Sequence, residues 1–152
     1  MSESKKMPQK AFNPNKVLSA ATLNFGMLEM SLFSVARAYL TKESYSYVKN
    51  QSFTNCAKII QIIVREKEIV DADAKIEILA EAIQLYKIRN KIFHNPLIPI
   101  VGSDGNPATI NHGLLNTKSG QVFDNIDLKK INDSAVKANL LAGKIAEMTN
   151  DA

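Results

Sequence analysis

The chain has one cysteine, no tryptophan, two histidines and three arginines in 152 residues. Cys56 has no second thiol with which to close a disulfide and no histidine nearby to activate it, so it reads as a small core residue. The two histidines lack acidic or thiol companions at ligand spacing, which gives no metal-site signal, and no cofactor is expected. There is no Walker loop, dinucleotide fingerprint, Gly-x-Ser-x-Gly elbow, Cys-x-x-Cys pair or internal repeat, and the enzyme classes built on those motifs lose their support. No apolar run is long enough to suggest a bilayer span, and the opening Met-Ser-Glu-Ser-Lys-Lys lacks the apolar core of a signal peptide. A reducing, cytoplasmic setting without a membrane is the expectation.

What is present is a chain 45% hydrophobic, enough for one domain with a buried core and no staples. Its net charge is +4, which suggests an acidic partner such as nucleic acid. The charge is unevenly placed. Lys5, Lys6, Lys10 and Lys16 stand against Glu3 alone, so three of the four net charges fall in the first sixteen residues. Residues 1–12 read as a disordered basic tail and 13–149 as one helical domain, and the chain beyond residue 16 is almost neutral.

Asn13-Pro14 is a helix start, with Asn as the cap and Pro where its missing N–H costs nothing. Leu18, Ala21, Phe25, Leu28, Leu32, Val35, Ala36 and Tyr39 then form one stripe at helical spacing, predicting a helix to about Lys42 that serves as the spine of a bundle. Glu29 lies beside that stripe, flanked at i±4 by Phe25 and Phe33. A carboxylate there either orients a catalytic base or is a boundary residue paired with a lysine. Residues 43–51 read as a connection. Ser52-Phe53-Thr54 caps a second helix whose buried face is Cys56, Ile59, Ile60 and Ile63, running to about Lys67. A third helix, capped by Asp71 or Asp73, carries Ile76, Leu79, Ala80, Ile83 and Tyr86 on its apolar face.

Pro96 disfavours helical geometry at Asn95, so the third helix should stop near His94. From Leu97 to Phe123 the pattern is that of a short β-hairpin or ordered loop. Leu97 to Val101 is an apolar run, Ser103-Asp104-Gly105-Asn106-Pro107 is turn chemistry, residues 108–115 return antiparallel, and a second turn follows at Lys118-Ser119-Gly120. Pro99 and Pro107 imply edge-like strands. His112, inside this insertion, reads as a surface histidine. Asp127 caps a last helix with Leu128, Ile131, Ala135, Ala138, Leu141, Ala142, Ile145 and Met148 as its stripe.

The most informative stretch is Tyr86-Lys87-Ile88-Arg89-Asn90-Lys91-Ile92-Phe93-His94-Asn95-Pro96. Asn90 and His94 share a helix face as an i, i+4 pair, and Arg89 sits on the neighbouring row, where its long side chain can reach toward the same small anion. Lys87 and Lys91 supply local positive charge. The alternative is a helix-terminal pair that caps carbonyls or bridges to Glu77, Glu81 or Glu29.

This Arg-Asn-x-x-x-His arrangement, set in that helix order, resembles the signature of the HEPN superfamily. The resemblance spans residues 13–149 and implies a mainly α, up-and-down four-helix bundle with a short insertion before the last helix. It also implies a homodimer in which two motifs face each other, and metal-independent endoribonuclease activity of the kind found in toxin–antitoxin, phage-defence or RNA-processing systems. Carried over, Arg89 would hold the scissile phosphate, His94 would move the proton and Asn90 would orient either. Glu29 and Lys91 would be auxiliary, RNA the substrate and an antitoxin or other protein a further partner. One toxin branch places a tyrosine two residues after the histidine; here that position is Pro96, which speaks against that branch. Other members keep the bundle without nuclease activity and serve as protein- or nucleotide-binding modules.

Overall fold

The computed structural model describes residues 13–95, 97–100 and 111–152; the tail expected over 1–12 and the turn expected over 103–107 lie outside them. The protein is mainly α. Its elements are α1 (Pro14–Tyr39), α2 (Lys42–Val48), α3 (Phe53–Glu66), α4 (Ala72–His94), β1 (Leu97–Ile100), β2 (Asn111–Leu115), β3 (Val122–Asp127) and α5 (Leu128–Glu147), followed by a 3-10 turn at Met148–Asp151.

The capping chemistry explains most of the boundaries. Asn13 Oδ1 accepts from the backbone N–H groups of Asn15 and Lys16, with Pro14 in the first turn. Ser52 and Asp127 cap α3 and α5 by accepting from Asn55 and Lys130. Asp71 occupies the corresponding position before α4 but makes no side-chain cap. Its backbone is left-handed, at φ 54°, and Glu68 in the same turn is at φ 50°. Left-handed geometry costs a residue with a Cβ about 1 kcal/mol.

Two further expectations are corrected. Residues 43–51 are not a plain connection, because Thr41 accepts from the Ser44 N–H and starts the short helix α2. With Val48 as its one buried residue, α2 has no periodicity to read. The first helix also ends at Tyr39, where the chain turns extended at Leu40.

The buried stripe of α1 runs from Val17 through Ala21, Phe25, Leu28, Leu32 and Val35 to Tyr39. It packs chiefly on α5, and also on α3 and α4. Cys56, Ile60 and Val64 from α3 join the same core, with Leu79, Ala82 and Tyr86 from α4 and Ile131, Ala138 and Ile145 from α5. Ala80, placed on the apolar face by spacing, is exposed, and Ala82 takes its place. By length and composition α1 also passes as a candidate membrane span, contrary to the expectation above. Its inner stripe is accounted for by the core; its outer face carries Leu23, Met27 and Met30, all exposed.

Paired contacts fix the helix directions. Asn24 meets Asn139, and the Tyr39 hydroxyl donates to the Met148 carbonyl at 3.0 Å, so α1 and α5 run the same way. Glu81 pairs with Lys137 and Lys75 with Asp151, so α4 runs against α5. Phe53 stacks on Tyr86 while Gln61 donates to the Ile76 carbonyl, so α4 also runs against α3. Three long helices are therefore parallel and α4 alone is reversed, which departs from the expected up-and-down alternation. The short helix α2 carries the chain back so that α3 starts level with Glu29, about midway along α1.

Between α4 and α5 lies a three-stranded antiparallel sheet in the order β1-β2-β3, with an irregularity at Gly113/Leu114. A hairpin or an ordered loop was expected; the third strand was not. β1, which holds Pro99, is an edge strand, as the missing N–H requires. Asn116 and the left-handed Gly120 (φ 69°) build the turn into β3, and Leu114, fully buried, plugs the sheet into the helical core.

Two measurements test this packing. Leu28→Ala, at a site with no exposed surface, should cost about 2–5 kcal/mol in chemical unfolding, whereas exposed Ser19→Ala should change stability by less than about 0.5 kcal/mol. Burial also pushes the Cys56 thiol from 9.0 up to about 11. Below pH 9 both states keep the proton; between 9 and about 11 the unfolded chain loses it first, so stability falls as pH rises. Cys56→Ala should make that fall shallower when unfolding is followed from pH 8 to 10.

Candidate active site

The site is built on the last three turns of α4. Tyr86 and Phe93 lie three residues before and four after Arg89, so all three share one side of the helix. The Arg89 guanidinium lies 5.1 Å from the Tyr86 ring centre and 4.9 Å from that of Phe93, a double cation–π contact. Across from it on α1 stands Glu29. Its Oε1 is 3.6 Å from Arg89 Nη2 and also accepts from the Tyr86 hydroxyl, while Arg89 Nη1 donates to Asn90 Oδ1 at 3.3 Å.

Tyr86 is fixed from its other side. Its ring stacks on Phe53, with centroids 4.1 Å apart and planes 6° from parallel, so the first residue of α3 sets the aromatic surface on which the guanidinium rests. Burial, then the hydrogen bond and charge of Glu29, hold the Tyr86 hydroxyl well above its ordinary 10.0, with Arg89 opposing the shift. The hydroxyl donates its hydrogen bond to Glu29.

His94 is placed differently. Five residues separate it from Arg89, which on a regular helix is about 140° around the axis and about 7.5 Å along it. The two side chains therefore diverge within one chain. His94 is exposed, and it falls on a stripe with Lys87, Asn90 and Lys91, at i, i+3, i+4 and i+7, all four exposed. Asn95 closes the helix by donating from Nδ2 to the Lys91 carbonyl at 2.7 Å.

Of the residues singled out from sequence, Arg89, Asn90 and Glu29 are thus brought together, while Lys91 and His94 lie on the adjoining exposed face. Asn90 turns to Arg89. Glu29, left open between two roles, pairs with an arginine and a tyrosine. Glu77 and Glu81, offered as partners of Arg89, lie on a different face of α4, where they line a shallow groove with Gln84, Ile88 and Lys137. Phe53, Tyr86 and Phe93 were not assigned to the site, although aromatics at i−3 and i+4 from an arginine are a signal that could have found two of them. His112 lies on β2, and its side chain is outside the described residues. Among the described residues no group of three or more His, Cys, Asp or Glu is close enough to hold a metal ion.

Comparison with family models, with curated proteins and with solved structures finds no match to this chain.

The Glu29–Arg89 pair is about one-third exposed on both sides, so solvent screens it. A double-mutant cycle with Glu29→Gln and Arg89→Gln should give a coupling below about 1 kcal/mol. Tyr86→Phe, which removes a hydroxyl bonded to a carboxylate, should cost more, about 1.5–3 kcal/mol, by urea denaturation.

Proposed function

We propose that the protein is a metal-independent endoribonuclease of the HEPN type, with Arg89 and His94 from two copies forming one composite site. The observation that carries this reading is the exposed Lys87-Asn90-Lys91-His94 stripe beside an arginine already held in position. Because Arg89 and His94 diverge within one chain, a second copy is the economical way to bring both onto one phosphate. The element order supports the same reading: four long helices, the motif at the end of α4 and a strand insertion before α5. The helix directions do not follow the up-and-down form of that bundle, so the likeness rests on the motif and the order.

Arg89 retains the capacity to bind. One of its five N–H groups goes to Asn90, and Glu29 at 3.6 Å is an ion pair beyond ordinary hydrogen-bond length. The rest of the guanidinium fork matches phosphate oxygens and keeps its charge as negative charge grows in the transition state. One His94 takes the proton of the 2′-hydroxyl as its oxygen attacks phosphorus. The partner's His94 protonates the departing 5′-oxygen, leaving a 2′,3′-cyclic phosphate.

A second reading has its own observation. Glu29 already offsets the charge of Arg89, and Tyr86 and Phe93 cover the guanidinium, which suits a packing residue in a catalytically silent helical binding module. Labelled structured RNA in excess EDTA separates the two. Cleavage that leaves cyclic phosphate and falls by about 10²-fold or more in His94→Ala and Arg89→Ala, both still folded by circular dichroism, is the result expected of the enzyme. No cleavage across several RNAs, or undiminished cleavage in the variants, leaves the binding module.

A further inference from the structure

An apolar surface on the α1–α5 side has no role in that reading. Leu23, Met27 and Met30 recur at i, i+4 and i+7 on α1 and are 65%, 40% and 72% exposed; Val136 and Leu140 recur at i, i+4 on α5 and are 54% and 63% exposed. The two rows are neighbours, because Asn24 and Asn139, one residue from Leu23 and from Leu140, touch each other across the parallel pair. On α1 the stretch from Val17 to Ala36 has one charged residue, Glu29, and it faces the other way, toward Tyr86 and Arg89. Residues 134–143 of α5 have only Lys137, which turns to Glu81 on α4. Gly26 and Gly143 open onto this side, and a Cβ built on either meets nothing within 4 Å.

We infer that this α1–α5 face is a two-fold interface with the same face of a second copy. The five side chains expose on the order of 500 Å² of apolar surface, at the upper end of what a monomer leaves bare. Pairing two such faces buries about 1,000 Å² from those side chains alone, the threshold for a specific interface, before Ala20, Asn24, Asn139 and the glycines are added. A face without charge has nothing to select an oppositely charged partner, whereas apolar rows on parallel helices are complementary to their own two-fold image. The two glycines let the second pair of helices approach closely.

This contact is separate from the motif pairing. It lies across α1 from Glu29, so a dimer formed here keeps both His94 residues outside the interface, and an assembly using both contacts is a tetramer. The test is the mass in solution, by light scattering and sedimentation at several concentrations, of the wild type, Leu140→Asp and Gly143→Arg. The last keeps the fold, since it adds a helix-favouring side chain where no atom stands in the way. The expected result is a wild type of at least two 16.8 kDa chains and a halved mass in both variants, with RNA cleavage tested separately. A monomeric wild type, an unchanged mass in the variants, or a monomer that instead sediments with neutral phosphatidylcholine vesicles through this face would overturn the inference. A monomeric wild type would also remove the composite Arg89–His94 site, whereas an unchanged mass in the variants, with the wild type still oligomeric, would leave that site standing.

Discussion

The buried stripe of α1 is the constraint that the other long helices share. It spans Val17 to Tyr39, and α3, α4 and α5 all contact it. Covering it requires three partners at different angles around one cylinder, and this sets where α4 lies. Once α4 runs against α1, the Glu29 level of one coincides with the Tyr86–Arg89 level of the other, and the candidate site follows from that register. Core packing at Leu28 and Leu32 thus positions a carboxylate that neither residue touches chemically.

The site shows how packing and electrostatics divide the work around an arginine. Stacking on Tyr86 and Phe93 holds the guanidinium plane, a task for dispersion and the ring quadrupoles. Glu29 and Asn90 then choose its rotation. Neither partner needs to contribute much stability, since both sit at the surface; their contribution is to reduce the orientations that the guanidinium would otherwise lose on meeting an anion. Phe53 acts one step further out, through the ring of Tyr86.

The long periodic segments were legible in the sequence because a bundle helix must present apolar residues at a period of 3.6, and α1, α3, α4 and α5 all do. The caps at Asn13, Ser52 and Asp127 were legible for the same local reason. Short elements were not. α2 buries only Val48, and β3 is a third strand in an insertion whose sequence signalled a hairpin. The cap expected at Asp71 or Asp73 is not made: two left-handed residues close the turn before α4, a backbone choice that side-chain identity does not announce when neither residue is glycine. At the site, the motif was visible, but the pairing of Arg89 with Glu29 was one of several open alternatives. Choosing among them requires the relative direction of α1 and α4, which depends on contacts between residues 57 positions apart.

That direction has an electrostatic consequence. With α1, α3 and α5 parallel and α4 reversed, three helices begin on the side of the fold toward which α4 and the short α2 end. Each helix start contributes about half a positive charge and each end about half a negative one, so three starts against two ends leave a partial positive charge spread over that side. The chain beyond residue 16, almost neutral by residue count, is therefore polarised along its length. The attraction it offers to an anion comes in part from the backbone, where no tally of lysines and glutamates would register it.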